Sequence, residues 1–309
     1  MKMQEFSFLD GEGIEIYYCK WSEEDGKGAK GVIQLSHGMA ETSRRYEDFA
    51  EVLVGEGYIV YANDHRGHGK TAKTLENVGY LGDRDGFYWL VEDMHELSNI
   101  IKKENKELPL FIFGHSMGSF LTQRYIQLYG NEIKGAILSG TNGNQGMILD
   151  LAIYIAKREI AKNGRKAKSD KLNKMSFGSY NNSFKGARTE FDWLSSDEAQ
   201  VDKYISDPFC GTVFSAGFFY DFSTGLKEIE KDSNIANVPK KLPLYIFSGS
   251  KDPVGKNTKG VLKLIKTYNK FNLENVTYKF YDEGRHEMLN EINKEEVMED
   301  VVNWLNKQI

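Results

Sequence analysis

Residues 110–118 read Leu110-Phe111-Ile112-Phe113-Gly114-His115-Ser116-Met117-Gly118, an apolar run followed by a glycine–X–serine–X–glycine motif. The motif alone is a weak signal, but a helical pattern over residues 117–128 follows it directly. A strand, a sharp turn and a helix in that order form a nucleophile elbow, which presents a serine hydroxyl to a reactant. Glycines suit a turn in which other backbone passes close on both sides. The segment therefore predicts Ser116 as a nucleophile, and the alternative is a plain helix N-cap.

A serine nucleophile needs a base, and the base needs an acid to orient it. In elbow-type sites the acid and then the histidine follow the serine, each after a later strand. Asp252 follows the strand-like residues 244–247, and His286 follows the strand-like residues 276–281. His286 is also the only histidine downstream of Ser116. Order and placement together predict a triad of Ser116, His286 and Asp252.

The sequence contains alternatives to this triad. Asp282 and Glu283 are rival acids. They follow residues 276–281, the same strand-like run that precedes His286, whereas the acid is expected after an earlier strand. Asp252 would also suit a simple Asx turn before Pro253, with His286 as an ordinary surface histidine. The agreement of order and strand-end placement favours the triad.

An acyl-transfer site also needs two backbone N–H groups aimed at the developing negative charge. One is expected from Met117, the residue after the nucleophile. The other is expected from the loop 37–41, which follows the strand-like residues 31–36, and we assign it to Met39. The predicted oxyanion hole therefore consists of the N–H groups of Met39 and Met117.

Short apolar runs alternate with helical patterns through most of the chain, which predicts a parallel sheet with helices on both faces. An N-terminal hairpin is predicted, with its turn at Asp10-Gly11. The alternation stops in mid-chain for about 95 residues, which is too long for a plain loop. We therefore predict an α/β core of residues 1–140 and 236–309, with a mostly helical cap inserted at residues 141–235.

Composition excludes several classes of protein. The 309-residue chain has 40% hydrophobic and 28% charged residues, which is typical of a folded globular protein, and its net charge of -5 gives no basic surface for nucleic acid. No signal-peptide pattern or membrane-spanning run is present, and the two cysteines fit no metal spacing. His65 and His68 lack the surrounding carboxylates of a metal site, so a buried polar turn is expected there. We expect a cytoplasmic protein with free thiols, no metal and no cofactor.

Several motifs, in order along nearly the whole chain, resemble the monoacylglycerol lipase and lysophospholipase group of serine α/β-hydrolases. They are His37-Gly38-Met39-Ala40-Glu41, Asn63-Asp64-His65-Arg66-Gly67-His68-Gly69, Gly114-His115-Ser116-Met117-Gly118, Phe191-Asp192-Trp193-Leu194-Ser195, Ser206-Asp207-Pro208-Phe209, Gly249-Ser250-Lys251-Asp252-Pro253-Val254 and Gly284-Arg285-His286-Glu287. The resemblance implies the α/β-hydrolase fold, a cap over an acyl-binding channel, and hydrolysis of a single-chain glycerol ester or similar lipid. Two departures bear on the leaving group: Met39 replaces the alanine common in animal members, and Leu289 replaces a frequent histidine.

The resemblance also implies where a lipid ester would bind. The expected substrate-binding residues are Glu41 and Arg45 near the leaving-group pocket, and Met147, Leu151, Phe218 and Phe219 along the acyl channel. A small hydrophobic core of the cap would by itself account for about half of the aromatic residues at 214–222. Transient contact of the cap with a membrane surface is a further expectation. The sequence does not indicate an oligomeric state.

Three other functions stay open at this point. The first is a carboxylesterase for small or aromatic esters. The second is a serine aminopeptidase, in which a cap carboxylate such as Asp197, Glu198 or Asp202 would bind the substrate amine. The third is a catalytically silent ligand-binding homologue that has kept only the fold. Rates across ester chain lengths would separate the first from a lipase, and active-site labelling by a fluorophosphonate would identify the third.

Overall fold

A twisted sheet of eight strands runs through the part of the chain that the computed structural model describes, residues 1–23 and 28–309. The strands are β1 (Lys2–Leu9), β2 (Glu15–Ser22), β3 (Gly31–Ser36), β4 (Tyr58–Asn63), β5 (Leu110–His115), β6 (Gly135–Ser139), β7 (Leu244–Gly249) and β8 (Val276–Tyr281). Their order across the sheet is β1-β2-β4-β3-β5-β6-β7-β8. The β1–β2 and β2–β4 pairs are antiparallel, and all other neighbours are parallel. The predicted N-terminal hairpin and parallel sheet are both confirmed.

Helices cover both faces of this sheet. The helices are α1 (Glu47–Gly55), α2 (Gly86–Glu104), α3 (Met117–Tyr129), α4 (Ile148–Asn163), α5 (Asp170–Phe177), α6 (Glu198–Ser206), α7 (Ala216–Ile229), α8 (Asp232–Ile235), α9 (Lys259–Lys270) and α10 (Lys294–Asn306). Apolar side chains of α1 and α10 pack in one core cluster, and those of α2, α3 and α9 pack in another. Neighbouring residues of one strand alternate between the clusters, because successive side chains point to opposite faces: Val32 belongs to the second cluster and Ile33 to the first.

Five helices, α4 to α8, lie between β6 and β7, where the sequence predicts a cap. We call residues 141–235 the cap segment. Within it α4 packs on α7, and α7 also packs against α2 and α3 of the core. The mostly helical content agrees with the sequence pattern, and the boundaries of the cap as a separate unit stay a prediction.

The loops that carry the expected site residues leave the sheet at one edge. The carboxyl ends of β3, β5, β7 and β8 lie side by side there because these strands run parallel, and this edge is where open α/β sheets bind ligands. Loop 37–41 follows β3, Ser116 follows β5, Asp252 follows β7 and His286 follows β8. No helix in the described ranges is long and apolar enough to cross a membrane.

Candidate active site

Ser116 lies in a strained turn between β5 and α3. Its backbone has φ 51° and ψ −118°, a region that is costly for a residue with a side chain. A Cβ atom at Gly118 would lie 1.9 Å from the carbonyl oxygen of Ser36, and one at Gly114 would lie 2.4 Å from the carbonyl oxygen of Gly118. Both glycines are therefore required by close backbone approach. Ser116 is partly exposed while its neighbours on either side are buried, which is the geometry expected of a nucleophile elbow.

His286 and Asp252 form a buried pair next to this turn. The Nδ1 atom of His286 lies 2.9 Å from Oδ1 of Asp252. The carboxylate also accepts hydrogen bonds from the N–H of Val254 at 2.9 Å and from the hydroxyl of Ser248 at 3.2 Å, which fix its orientation. Because the carboxylate accepts, the proton sits on Nδ1 of His286, and Nε2 is left with its lone pair available as a base.

The second nitrogen of His286 faces no polar partner. Nε2 is buried and has no hydrogen-bond partner among the described residues, Ser116 included. His286 and Ser116 nevertheless line the same cavity. Hydrogen bonds between nucleophile and base often form only when substrate is bound. An unpartnered Nε2 is therefore compatible with a role for His286 as the base that accepts the serine proton.

The charges around His286 favour its protonated form. Burial opposes a positive charge on the ring, but the carboxylates of Asp252, Glu287 and Glu41 together outweigh it. The pKa of His286 is therefore raised above that of a free histidine. His115, whose ring centroid lies 4.7 Å away, behaves in the opposite way. Burial, and then the neighbouring His286, lowers the pKa of His115 to about 3. His115 is therefore a neutral side chain that lines the site, and its Nδ1 is hydrogen-bonded to the Ser139 hydroxyl at 3.2 Å.

The rival acids lie on the surface. Asp282 accepts a hydrogen bond from the hydroxyl of Ser250 at 3.3 Å, and Glu283 pairs with Lys251 at 3.3 Å. Both carboxylates are exposed, whereas Asp252 is fully buried. Of the three acids, Asp252 is the one that contacts the ring of His286.

The side chain of His37 orients the peptide that precedes Met39. Nε2 of His37 accepts a hydrogen bond from the N–H of His65 at 3.0 Å, so its proton is on Nδ1. Nδ1 in turn donates to the carbonyl oxygen of Gly38 at 2.7 Å. In a trans peptide the carbonyl and the following N–H point in opposite directions. The N–H of Met39 therefore points away from His37, as a donor in an oxyanion hole must.

The other expected donor lies at the start of α3. Met117 is the first residue of that helix, so its N–H has no acceptor within the helix. The loop after β3 passes close by, since a Cβ atom at Gly38 would lie 3.2 Å from Cβ of Ser116. Met39 lines the cavity as well. The two predicted N–H groups thus flank Ser116, and their role as an oxyanion hole stays a prediction.

A buried ion network connects the loop after β3 with the loop after β8. Arg45 donates two hydrogen bonds of 2.7 Å to the carboxylate of Glu287 and one of 2.7 Å to Glu41. Glu41 also accepts from the N–H of Gly38 and from the hydroxyl of Tyr46. Arg45 lowers the pKa of Glu287 despite its burial. Glu41 and Glu287 line the main cavity, and Arg45 lies behind them.

The cavity in front of Ser116 has a volume of about 480 Å³, within the range of about 300–1,000 Å³ that is typical of small-molecule sites. The core contributes Ser116 and His286 of the predicted triad, together with the loop 38–41. The cap segment contributes an apolar wall, Phe177, Phe191, Trp193, Leu194 and Val213, and a polar rim, Asp170, Asn173, Lys174, Asn181 and Glu190. The cap segment therefore encloses the candidate nucleophile.

Four residues expected along an acyl channel lie elsewhere, and the structure corrects that expectation. None of them is among the described residues that line the cavity. Met147 and Leu151 are 86% and 56% exposed, because α4 turns Leu149 and Ala156 inward instead. Phe218 and Phe219 are 1% and 6% exposed, because α7 packs its aromatic residues into the core cluster. They belong to a hydrophobic core, as the alternative held, but to one shared with α2 and α3 rather than to a small core of the cap.

No metal site is formed in the described ranges, where no group of three or more histidine, cysteine, aspartate or glutamate side chains is arranged to hold an ion. His65 and His68 are fully buried, and their pKa values are lowered by burial and then by the adjacent His37. They form part of a neutral polar turn under the site. Cys19 and Cys210 are both buried free thiols.

Sequence reasoning assigned no role to Glu287 or Trp193, two residues that contact the candidate base or its loop. Both lie in motifs that resemble the family, so a signal was present. Glu287 contacts Arg45, which lies 242 residues earlier, and Trp193 lies with its ring centroid 5.0 Å from that of His286. Neither contact has a local pattern that a single sequence would reveal.

Comparison with known proteins agrees with this geometry. The family described as serine aminopeptidase, S33, matches residues 27–293. The chain is similar to a monoacylglycerol lipase of Mycolicibacterium smegmatis, with 27% identity over 306 residues that cover 97% of this chain and 96% of the relative. It is similar to the human monoglyceride lipase, with 27% identity over 300 residues that cover 94% and 86%. A carboxyl esterase from Bacillus coagulans, solved in complex with glycerol, superimposes with a TM-score of 0.91 at 29% identity over 99% of both chains. The chain belongs to the serine aminopeptidase S33 family and has the α/β-hydrolase fold.

Proposed function

We propose that this protein is a serine hydrolase that cleaves the ester bond of monoacylglycerols or lysophospholipids. The observation that carries the proposal is the buried Asp252–His286 pair, in which His286 lines the same cavity as the strained Ser116. Relatives named monoacylglycerol lipase and lysophospholipase, the latter a probable lysophospholipase L2 of Haemophilus influenzae with 29% identity over 133 residues, support the substrate class.

The reaction proceeds through an acyl-enzyme. Nε2 of His286 takes the proton of the Ser116 hydroxyl as its oxygen attacks the ester carbonyl. The N–H groups of Met39 and Met117 stabilise the negative oxygen of the tetrahedral intermediate. His286 then gives the proton to the leaving alcohol, and water hydrolyses the acyl-enzyme by the same steps. The protein and water supply every group that this chemistry needs.

The cavity suits an ester with an apolar tail and a polar head. The acyl chain lies along the wall formed by Phe177, Phe191 and Val213, and the head group lies near Glu41. Arg45 does not line the cavity, so it acts by holding Glu41 and Glu287 in place rather than by binding the substrate. A similar carboxyl esterase was solved in complex with glycerol, which supports a polyol as the head group.

Rates across acyl chain lengths test the substrate class. Burying each CH₂ group is worth about 0.8 kcal/mol, so two further carbons raise kcat/KM by roughly tenfold until the cavity is full. We expect kcat/KM for esters of two to sixteen carbons, measured below their micellar concentrations, to rise to a maximum at medium or long chains. Monoacylglycerols and lysophosphatidylcholines of that length then separate the two head groups. A maximum at acetate or butyrate would refute the lipid substrate and favour a carboxylesterase for small esters.

An aminopeptidase is the second candidate, and one observation favours it. Carboxylates line the cavity in addition to the triad, at Glu41, Asp170, Glu190 and Glu287, and any of the first three could bind a substrate amine. The acids expected for this role from sequence, Asp197, Glu198 and Asp202, are not among the described residues that line the cavity. A matched pair, leucine p-nitroanilide and p-nitrophenyl decanoate, decides between them. We expect the ester to be hydrolysed with a kcat/KM at least a hundredfold higher, and the reverse ratio would favour the peptidase.

Contact with a lipid surface is part of the proposal. Four apolar side chains at the start of α4 form an exposed patch, Met147, Ile148, Leu151 and Tyr154, and basic residues follow at Lys157, Arg158 and Lys162. An apolar face beside basic residues suits the surface of an anionic membrane. The M147S/L151S variant should lose sedimentation with phosphatidylglycerol vesicles while it keeps activity on soluble butyrate esters, and the matched control Leu128→Ser, in α3, should change neither. Equal sedimentation of both variants would contradict this contact.

We also propose a cytoplasmic location, which the buried free thiols support.

A further inference from the structure

The cap segment is joined directly to the loop that carries the candidate base. The N–H of His286 donates to the carbonyl oxygen of Trp193 at 3.4 Å, and the N–H of Glu287 donates to that of Leu194 at 2.7 Å. The guanidinium of Arg285 donates to two further carbonyls of the same stretch, those of Asp192 and Ser195. The histidine loop is therefore held by residues 192–195 of the cap segment as well as by β8.

The indole of Trp193 lies against the imidazole of His286. The ring centroids are 5.0 Å apart and the planes make an angle of 37°. On its other sides the indole packs against Tyr180 at 4.9 Å and against Phe177 at 6.1 Å, both from the cap segment. Trp193 is only 8% exposed, and its backbone N–H donates to the side-chain oxygen of Asn181 at 2.8 Å. These contacts fix the indole on the sides that do not face His286. The indole in turn limits rotation of the imidazole away from Asp252.

This contact matters most when His286 carries a proton. An aromatic face within about 6 Å of a cation attracts it, and tryptophan does so most strongly when the cation is shielded from water. In the active form of the resting enzyme His286 is neutral, and it becomes a cation when it takes the serine proton. The attraction is therefore stronger in the transition state than in that resting form. An interaction of that kind raises the rate of the chemical step rather than substrate binding.

We propose that Trp193 is a positioning residue for His286, through which the cap segment orients the base and stabilises its protonated form. The inference rests on the proposed function of the triad. The competing explanation is that Trp193 serves only as part of the acyl-chain wall. The two differ in one respect: a wall residue affects long esters more than short ones, whereas a residue that acts on the base affects every ester equally.

The experiment compares kcat/KM for p-nitrophenyl acetate, butyrate and decanoate in variants that keep the wild-type unfolding midpoint. We expect Trp193→Leu to lower kcat/KM about tenfold with all three esters, the effect of a desolvated cation–aromatic contact on a rate, and Trp193→Phe to stay within about threefold of wild type. The matched control is Phe191→Leu, because Phe191 lines the same cavity but packs on Tyr204 at 5.2 Å. That variant should lose rate only with decanoate. A loss for Trp193→Leu that is likewise confined to decanoate would overturn the inference.

A second measurement preserves the shape of the side chain and so does not depend on whether Trp193→Leu folds. Fluorinated tryptophans introduced at position 193 alone weaken the negative face of the ring in steps. We expect kcat/KM for acetate to fall with each added fluorine, and a constant value would overturn the inference. Wild-type activity on the same esters distinguishes failure of the proposed function from failure of the Trp193 inference. An inactive wild type refutes the proposed function. An active wild type with unaffected variants refutes only the role of Trp193.

Discussion

The change Glu287→Gln tests the ion network that connects the two loops beside the candidate nucleophile. It keeps the shape of the side chain and removes one charge from a buried pair, in which the side chains of Arg45 and Glu287 are 11% and 6% exposed. A buried charge left without its partner costs about 3–5 kcal/mol. Glu41 still contacts the guanidinium at 2.7 Å, so we expect a loss at the lower end, about 3 kcal/mol in the free energy of unfolding.

The same change also has a signature in the pH dependence of activity. His286 acts as a base only when neutral, so kcat/KM falls on the acidic side as the ring becomes protonated. The negative charge of Glu287 is one of the causes that raise the pKa of His286. Its removal lowers that pKa, and the acidic limb of the kcat/KM profile should move to lower pH.

The matched control for both readouts is Glu283→Gln. Glu283 lies in the same loop, but its side chain is 76% exposed and pairs with Lys251 at the surface. Exposed pairs are worth at most about 1 kcal/mol, so this variant should unfold nearly as the wild type does and keep its pH profile. Urea unfolding followed by circular dichroism and p-nitrophenyl ester rates at several pH values measure the two effects. Equal stability of the two variants, or an acidic limb that moves to higher pH in Glu287→Gln, would refute the reasoning.

Three further outcomes follow from the geometry of the site. Asp252→Asn should lower turnover by about 10⁴-fold, because an amide can donate to Nδ1 and no longer holds the proton there as an acceptor-only carboxylate does. Asp282→Asn, at the surface, should have little effect, and the reverse ranking in ester assays would show that Asp252 is the wrong acid. Gly118→Ala should prevent the native elbow because its Cβ would lie 1.9 Å from a β3 carbonyl oxygen, whereas Gly55→Ala, with open space around it, should change the free energy of unfolding by less than about 1 kcal/mol; equal unfolding midpoints would contradict this. In the wild type the acidic limb of kcat/KM should lie above the pKa of 6.5 of an unperturbed histidine, since that of His286 is raised, and a limb below that value would argue against it as the base.

The placement of the predicted triad residues at one edge of the sheet was predictable because the strand topology largely determines it. Each residue follows a short apolar run, and the carboxyl ends of parallel strands meet at one edge of a sheet. A serine, an aspartate and a histidine that follow parallel strands of one sheet are therefore expected at the same edge without any knowledge of side-chain packing. The same reasoning distinguished Asp252 from Asp282, which follows the strand nearest to His286 in the chain and lies at the surface.

The lining of the cavity was not predictable in this way. The apolar run that contains Met147 and Leu151 has a helical pattern, but periodicity does not say whether its apolar face meets the cavity, the core or solvent. The aromatic residues Phe218 and Phe219 have the same ambiguity, and packing against α2 and α3 places them in the core. Trp193, which does line the cavity, lies between α5 and α6, outside any helix or strand, so no periodic pattern marks it.

The identity of the nucleophile is the central claim, and reaction with a fluorophosphonate tests it most directly. Wild-type protein should be labelled once per chain, on the peptide that contains Ser116, and labelling should abolish hydrolysis of monoacylglycerol. Ser116→Ala should take up no label, keep the wild-type unfolding midpoint because it loses one hydroxyl and no core volume, and lose activity by about 10⁴-fold or more. Label on another residue, or activity within tenfold of wild type in Ser116→Ala, would contradict the account.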